Sequence, residues 1–423
     1  MEKVKIGLLG YGVVGSSVYR LLTKERVRIL EGTGVDLEVT RIAEMDTTKH
    51  GADAPASLFT TDGSAVVEDP SIDVVVELFG GVDAAFELIS CALRNGKNVV
   101  TANKQLLANR GAALFELARE KGRQIRFEAS VGGAIPIIKV MRESMFAAEL
   151  HTVYGIVNGT TNYILTAMLR GEGDYAATLA RAQELGYAEA DPTADVNGAD
   201  AAAKMAILAS IAFHSRVTLQ DVTFEGIASI QPEDIAYARD LGFVIKLVGS
   251  ARLLDEQVNV RVAPTLVPAG HPLAGINGSY NAVLLVGHAI DEIMLSGPGA
   301  GGLQTSTAVI SDIVSIVSTK TTGFMQNCSC YRALPLLAEE EMRSAFFIRV
   351  RVEDRPGVLA QLASIFGERD VSIESLIQKG HGDQAELVLI THPSPEKDFR
   401  AALEAIAGLS SVRSRPMTIR VLG

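Results

Sequence analysis

The chain has 423 residues, 48% of them hydrophobic and 21% charged, which is long enough to bury a sizeable core and too apolar for disorder to be its main state. Asp and Glu outnumber Lys and Arg by 50 to 39, and the resulting charge of −11 argues against a nucleic-acid footprint or attraction to an anionic membrane surface. Three cysteines, Cys91, Cys328 and Cys330, cannot build a disulfide framework and fit a reducing, cytoplasmic setting. No run approaches the roughly 18 uncharged apolar residues of a membrane span. The histidines lack metal-ligand spacing, so catalytic zinc is not expected and a small-molecule partner is.

The apolar run Val4 to Leu9, a glycine turn and the amphipathic stretch Ser16 to Leu22 read as strand, turn and helix. Strands follow at Leu37 to Ala43, Asp73 to Leu78, Asn98 to Thr101 and Gln124 to Ala129, with helices at Ala84 to Arg94 and Arg110 to Lys121. This alternation predicts a doubly wound parallel sheet over residues 1–130. Beyond it, strand-like runs at Tyr154 to Val157, Phe243 to Leu254 and Val258 to Pro264, with the long helix Ala199 to Phe213, predict an α+β second domain over 131–304. The helical run Thr307 to Val317 has the spacing to pack back on the first domain, which residues 305–335 are expected to complete. Ala338 to Ser344 reads as a polar linker, and 345–423 as a small β-α-β-β-α-β unit.

Gly10-Tyr11-Gly12-Val13-Val14-Gly15 follows a strand and opens a helix, the context in which GxGxxG indicates dinucleotide binding. The first glycine permits the turn, the second admits a pyrophosphate and the third allows close helix packing, with phosphate resting on the helix N-terminus. Glu44 or Asp46 ends the second strand and is placed to hold the ribose hydroxyls of NAD; Arg41 and Lys49 flank the position and suit the 2′-phosphate of NADP. Both cofactors remain open. Asp200 and Lys204 share one face of an otherwise apolar, Ala-rich helix. An exposed pair at this spacing contributes only about 0.3–0.5 kcal/mol; on a helix destined for the interior, buried charges demand a partner or a chemical task.

The stretch from Ala182 through Gly186, Glu189, Asp191, Pro192, Asp195, Gly198 and Asp200 to Lys204 resembles the homoserine dehydrogenase signature. Supporting it, in the family's order, are Glu77-Leu-Phe-Gly-Gly81, Asn98-Val-Val-Thr-Ala-Asn-Lys104, Glu128-Ala-Ser-Val-Gly-Gly-Ala-Ile-Pro136, Asn158-Gly-Thr-Thr-Asn-Tyr163 and Gly297-Pro-Gly-Ala-Gly-Gly302, together spanning about residues 1–330. The resemblance implies interconversion of L-aspartate 4-semialdehyde and L-homoserine with NAD or NADP, in threonine, methionine and isoleucine biosynthesis. It implies Lys204 as the catalytic lysine and Lys104 as a second lysine near the nicotinamide and the reacting oxygen. Glu189, Asp200, Asp195 and Thr160 are the implied substrate residues. Thr101, Lys104, Gly186 and Gly301 join the glycine turn and Asp46 as implied cofactor contacts. Glu128, Val131, Gly133 and Ile135 match a sodium site built largely of main-chain carbonyls, with an ordinary strand-to-helix turn as the plainer reading.

The tail, from Phe346 through Asp354-Arg-Pro356-Gly357-Val358-Leu359, resembles an ACT domain. Its Pro-Gly turn exposes main-chain N–H groups at a helix start, a nest for a carboxylate, and Asp354 can orient an amine. Asp354, Gly357, Val358 and Leu359 are therefore the expected effector residues, with threonine the implied effector. An oligomerisation module that binds nothing is the plainer alternative. A homodimer or homotetramer is expected, and no kinase module ahead of the first strand. Phosphoglycerate dehydrogenases place their glycine motif in mid-chain rather than at residue 10; an aspartate semialdehyde dehydrogenase needs a nucleophilic cysteine, and Cys91 lies within an amphipathic helix; a non-enzymatic sensor would need a docking module that is not visible.

Overall fold

The computed structural model describes residues 2–49, 53–318, 333–379 and 385–422. Cys328, Cys330, His50 and His381, and residues 319–332 of the stretch expected to complete the nucleotide-binding domain, lie outside the described residues.

The chain opens with β1 (Glu2–Leu9), α1 (Val13–Lys24), α2 (Arg26–Thr33) and β2 (Val35–Ala43). It continues through β3 (Phe59–Thr60), α3 (Ser64–Val67), β4 (Val74–Glu77), α4 (Asp83–Arg94), β5 (Asn98–Thr101), α5 (Lys104–Glu120) and β6 (Ile125–Arg126). These strands form a wholly parallel sheet in the order β3-β2-β1-β4-β5-β6. That order is a dinucleotide-binding one, with a crevice where it reverses, between β1 and β4. Strands covered on both faces carry unbroken apolar runs, and Val74, Val75 and Val76 are all fully buried.

Several expected boundaries move, and at two of them a side-chain bond gives the reason. Helix α5 begins at Lys104, six residues before the expected Arg110, because the Asn103 side chain accepts the N–H of Leu106 and caps it (3.0 Å). Strand β6 stops at Arg126, short of the expected Ala129, because the N–H of Glu128 donates to Asp312 (2.7 Å) instead of to a neighbouring strand.

The second part runs through α6 (Ile137–Lys139), β7 (Leu150–Ile156), α7 (Gly159–Leu169), α8 (Tyr175–Glu184), α9 (Thr193–Val196), α10 (Ala199–Ala212), β8 (Thr223–Phe224) and α11 (Pro232–Asp240). Then come β9 (Phe243–Leu254), β10 (Gln257–Pro268), β11 (Tyr280–Gly287), β12 (Asp291–Pro298) and α12 (Gly302–Ser318). Helix α10 is buried nearly all round, and Met205, Ala206, Leu208 and Ala209 have no exposed surface. Val309, Ile313 and Ile316 of α12 share one apolar core with Val18 and Leu22 of α1, so this helix returns to the first sheet as its spacing predicts.

The final segment, β13 (Arg343–Val352), α13 (Val358–Gly367), β14 (Ile373–Lys379), β15 (Ala385–Thr391), β16 (Ser394–Pro395), α14 (Glu396–Ala407) and β17 (Met417–Val421), has the expected order but does not hang free. Strand β17 pairs antiparallel with β13 and parallel with β10, so one sheet runs β12-β11-β7-β9-β10-β17-β13-β15-β14. Beneath this seam Arg261 and Arg420 each meet both Glu339 and Glu396, at 2.8–3.4 Å. Glu339, expected in a solvated linker, is buried in this ring of alternating charge. Arg349 of β13 adds a buried bond to Asp234 of α11 (2.6 Å).

Candidate active site

At the glycine turn each residue has a distinct physical task. Gly10 has φ +98°, a left-handed conformation, and a Cβ on Gly15 would stand 2.2 Å from the Gly10 carbonyl oxygen. Nothing lies within 4 Å of the equivalent point on Gly12, and α1 has no side-chain cap, so its first turn faces open space. Val13 is exposed, whereas the Tyr11 ring is buried against Tyr19 and Phe59. Burial, then Asp53, pushes the Tyr11 phenol up to about 12. Only the backbone of Tyr11 is thus near the turn, and its N–H donates to Glu44 (2.8 Å). Glu44 also accepts from the N–H of Asp46 (2.9 Å), while Asp46 is exposed, accepts from Thr48 and faces Lys49 at 3.5 Å. The charge of Arg41 is felt at Asp69, whose carboxyl is held low first by hydrogen bonds from Ser71.

Across the crevice, Glu77 at the end of β4 accepts from the N–H groups of Phe79 and Gly80 and from the Thr101 hydroxyl (2.6 Å). Burial pushes its carboxyl up against those bonds. Thr101 also accepts from the N–H of Asn103, whose amide reaches the Gly81 carbonyl (2.6 Å). This fixes the turn from which α5 launches Lys104.

Lys104 and Lys204 converge on one carboxylate. Lys104 Nζ is 3.1 Å from Asp200 Oδ1, and Lys204 Nζ is 2.7 Å from Asp200 Oδ2. Lys204 also donates to the Val157 carbonyl (2.8 Å), so two of its three ammonium protons are committed and one remains. Asn158 gives its amide to Asp200 (2.9 Å) and Asp195 (2.7 Å) and caps α7 with its oxygen (2.9 Å from the Thr161 nitrogen). Burial alone would raise the Asp200 carboxyl, but the two ammonium groups together outweigh it and hold it below the ordinary carboxylate range. Burial pushes Asp195 the other way, opposed by Asn158 and reinforced by Asp200. Thr160 Oγ1 donates to the Tyr187 carbonyl (2.6 Å) and so holds down the loop after α8.

Glu189 is not brought into this cluster: it is exposed on that loop, and its carboxylate makes no hydrogen bond or ion pair among the described residues. Gly186, at φ +74°, turns the same loop. Gly301, at φ +121°, precedes α12, and a Cβ on Gly302 would stand 2.7 Å from Ser17 Oγ and 2.9 Å from the Val13 carbonyl oxygen. The loop 297–302 therefore lies against the dinucleotide turn. Asn158 and Glu77 were motif members without a role in the sequence reading; the signal for Asn158 is its place before a helix, where an Asn oxygen caps.

Glu128, just past the edge strand β6, is buried, its two carboxylate oxygens accepting the N–H groups of Ile138 (2.7 Å) and Lys139 (2.8 Å). Burial and then the neighbouring Asp312 push its carboxyl up to about 7, and burial pushes Asp312 up to about 6. Val131, Gly133 and Ile135 form the following turn, with Gly133 at φ +58°. Among the described residues no group of three His, Cys, Asp or Glu could hold a metal ion. In the C-terminal unit Gly357 (φ +92°) starts α13 without a side-chain cap, Val358 is buried, Leu359 is exposed, and Asp354 accepts from Gln378 at 3.4 Å.

A dinucleotide crevice facing two lysines on one buried aspartate defines an NAD(P)-dependent oxidoreductase that acts on a CH–OH group. Family models agree: the homoserine dehydrogenase NAD-binding domain matches residues 10–128, the homoserine dehydrogenase catalytic model residues 136–314, and the ACT domain residues 346–410. The chain is 39% identical to the homoserine dehydrogenase of Bacillus subtilis over 100% of its own length and 99% of that protein's. It is 42% identical to that of Synechocystis over 99% of each. A crystal structure of a homoserine dehydrogenase from Thiobacillus denitrificans superposes with a TM-score of 0.95 at 39% identity, over 100% and 99% of the two chains. The chain belongs to the homoserine dehydrogenase family. No helix among the described residues is long and apolar enough to cross a membrane.

Proposed function

We propose that the chain interconverts L-aspartate 4-semialdehyde and L-homoserine, with Lys204 as the group that exchanges a proton with the reacting oxygen. The observation that carries this is the pairing of Lys204 and Lys104 with one anionic, buried Asp200. When bound, the nicotinamide supplies or accepts the hydride. Reduction turns the aldehyde oxygen into an alkoxide; the uncommitted proton of Lys204 is transferred to it, and the neutral amine takes that proton back in the reverse direction. Lys104 lends positive charge to the same oxygen. Asp200, held ionised, keeps both side chains in place and, with Asp195, offers negative charge to the substrate ammonium. Glu189 joins that pocket by movement of the loop that Thr160 tethers. The test is disappearance of reduced-nicotinamide absorbance on adding aspartate semialdehyde with NADH or NADPH; no turnover with either overturns the reading.

Finer assignments follow the same reading. Gly12, Val13 and Val14 would hold the cofactor's pyrophosphate, with Gly301 beside them, and Thr101, Lys104 and Gly186 would contact the rest of the dinucleotide. Asp46, exposed beside Lys49, would meet the adenosine ribose and set the choice between NAD and NADP. The residues fit a sodium ion bound by Glu128 and the carbonyls of Val131, Gly133 and Ile135, because a cation there would offset the charge that burial penalises on Glu128 and Asp312; its part is structural. Residues 1–130 with 305–335, 131–304 and 345–423 act as nucleotide-binding, catalytic and regulatory domains. The last binds threonine at Asp354, Gly357, Val358 and Leu359, in feedback on threonine, methionine and isoleucine biosynthesis, in a cytoplasmic homodimer or homotetramer. Because β17 covers an edge of β10, a Gly357 substitution tests this better than truncation. Threonine inhibition should weaken with basal turnover kept, and unchanged inhibition would place the effector elsewhere.

A further inference from the structure

Asn281, the second residue of β11, is 1% exposed, and neither its Nδ2 nor its Oδ1 has a hydrogen-bond partner among the described residues. A carboxamide can make up to four hydrogen bonds, and burying it with none is costly where a leucine of nearly the same shape would carry no such penalty. Its surroundings explain the position. A Cβ on Gly299 would stand 2.0 Å from Asn281 Nδ2, so the loop 297–302 is pressed onto the amide, and a Cβ on Gly159 would stand 3.6 Å from Asn281 Oδ1. Gly159 follows Asn158, which holds Asp195 and Asp200, while the far side of the 297–302 loop lies against Val13 and Ser17 at the dinucleotide turn. The unsatisfied amide thus stands between the segment that touches the glycine turn and the segment that orients Asp195 and Asp200.

We propose that Asn281 is a positioning residue for the dehydrogenase reaction: when the dinucleotide is held, its carboxamide bonds the main chain of Gly299 and of the first turn of α7, locking the glycine loop in register with the substrate-binding helix. The inference rests on the oxidoreductase reading above. The carboxamide gives both a donor and an acceptor, which suits two main-chain partners, and its cost in the ligand-free protein is offset only when those partners close on it.

The test uses the full-length protein and NADPH or NADH, whichever the parent prefers. Asn281→Leu should melt at or above the parent temperature without ligand, yet show a cofactor KM raised about tenfold and a smaller cofactor-induced rise in melting temperature. Asn281→Asp keeps size and acceptors but loses the donor; the ratio of its cofactor KM to the parent's should fall as pH is lowered and the carboxyl regains a proton. A leucine variant with kinetic constants and cofactor stabilisation within twofold of the parent overturns the proposal. If that variant does not fold, a pH-independent ratio for the aspartate variant overturns it instead. A parent that binds dinucleotide but does not reduce the semialdehyde would sink the oxidoreductase reading, while the thermal shift would still decide on Asn281.

Discussion

Asp200 and Asp312 are both buried carboxylates close to lysine, yet one is held ionised and the other is pushed toward the neutral form. Asp200 meets two ammonium groups at 2.7 and 3.1 Å and an amide donor; Asp312 has Lys139 no nearer than 3.9 Å and a second carboxylate, Glu128, as its neighbour. Burial raises both carboxyls; two ammonium groups in contact outweigh it at Asp200, whereas the more distant cations around Asp312 do not. The first arrangement fixes charge for chemistry, and the second stores an unfavourable charge that a cation or a proton relieves.

The largest consequence of that difference belongs to Lys204. Lys204→Ala should lower turnover by about 10²–10⁴-fold, the usual contribution of a positioned acid–base group, while dinucleotide affinity measured by fluorescence titration stays the same. Next, Asp200→Ala leaves Lys204 facing Lys104 without their counter-charge, and chemical denaturation should show a loss of roughly 3–5 kcal/mol as well as lost turnover. An unchanged midpoint would mean that the lysines find other partners.

Asp312→Asn should do the reverse at neutral pH. The folded-state values of Asp312 and Glu128, about 6 and about 7, lie above their ordinary 3.8 and 4.5, so between these limits the native state binds more protons than the unfolded one. Their stabilising contribution is therefore complete in acid and lost as pH rises toward 7. Melting temperature recorded from pH 5 to 8 should fall less steeply in Asp312→Asn than in the parent; parallel curves would remove the pair from the pH response. Asp200, with its lowered value, contributes the opposite dependence, and its contribution is lost only as pH drops below the ordinary aspartate range. The smallest effect is expected at the α5 cap, where Asn103→Ala should cost about 1 kcal/mol of stability and shift Lys104 enough to lower turnover modestly.

Much of this was legible in the chain. The parallel, doubly wound character of the first sheet follows from alternating apolar runs and the glycine turn, because parallel strands buried on both faces write continuous Val and Ile segments; its strand order and the two-residue strand β3 leave no such signal. Asp200 and Lys204 were visible as a pair because helical spacing brings four-apart residues together. Contacts between distant segments leave no such local trace: the Glu128 N–H to Asp312 bond spans 184 positions, and the ring of Arg261, Glu339, Glu396 and Arg420 joins segments that each look like ordinary polar surface. For the same reason the parallel pairing of β17 with β10 turned an expected appended module into part of a continuous sheet. Asn281 was silent in the sequence, since a lone Asn in an apolar strand carries no periodic signal.

The most direct test is the hydride-transfer step itself, followed by stopped-flow absorbance of the reduced cofactor in Lys204→Ala at saturating semialdehyde. A proton delivered from position 204 predicts a step slowed by at least about 100-fold, with cofactor affinity preserved and the rate partly restored by added methylamine. A step within threefold of the parent's would show that the proton comes from another group.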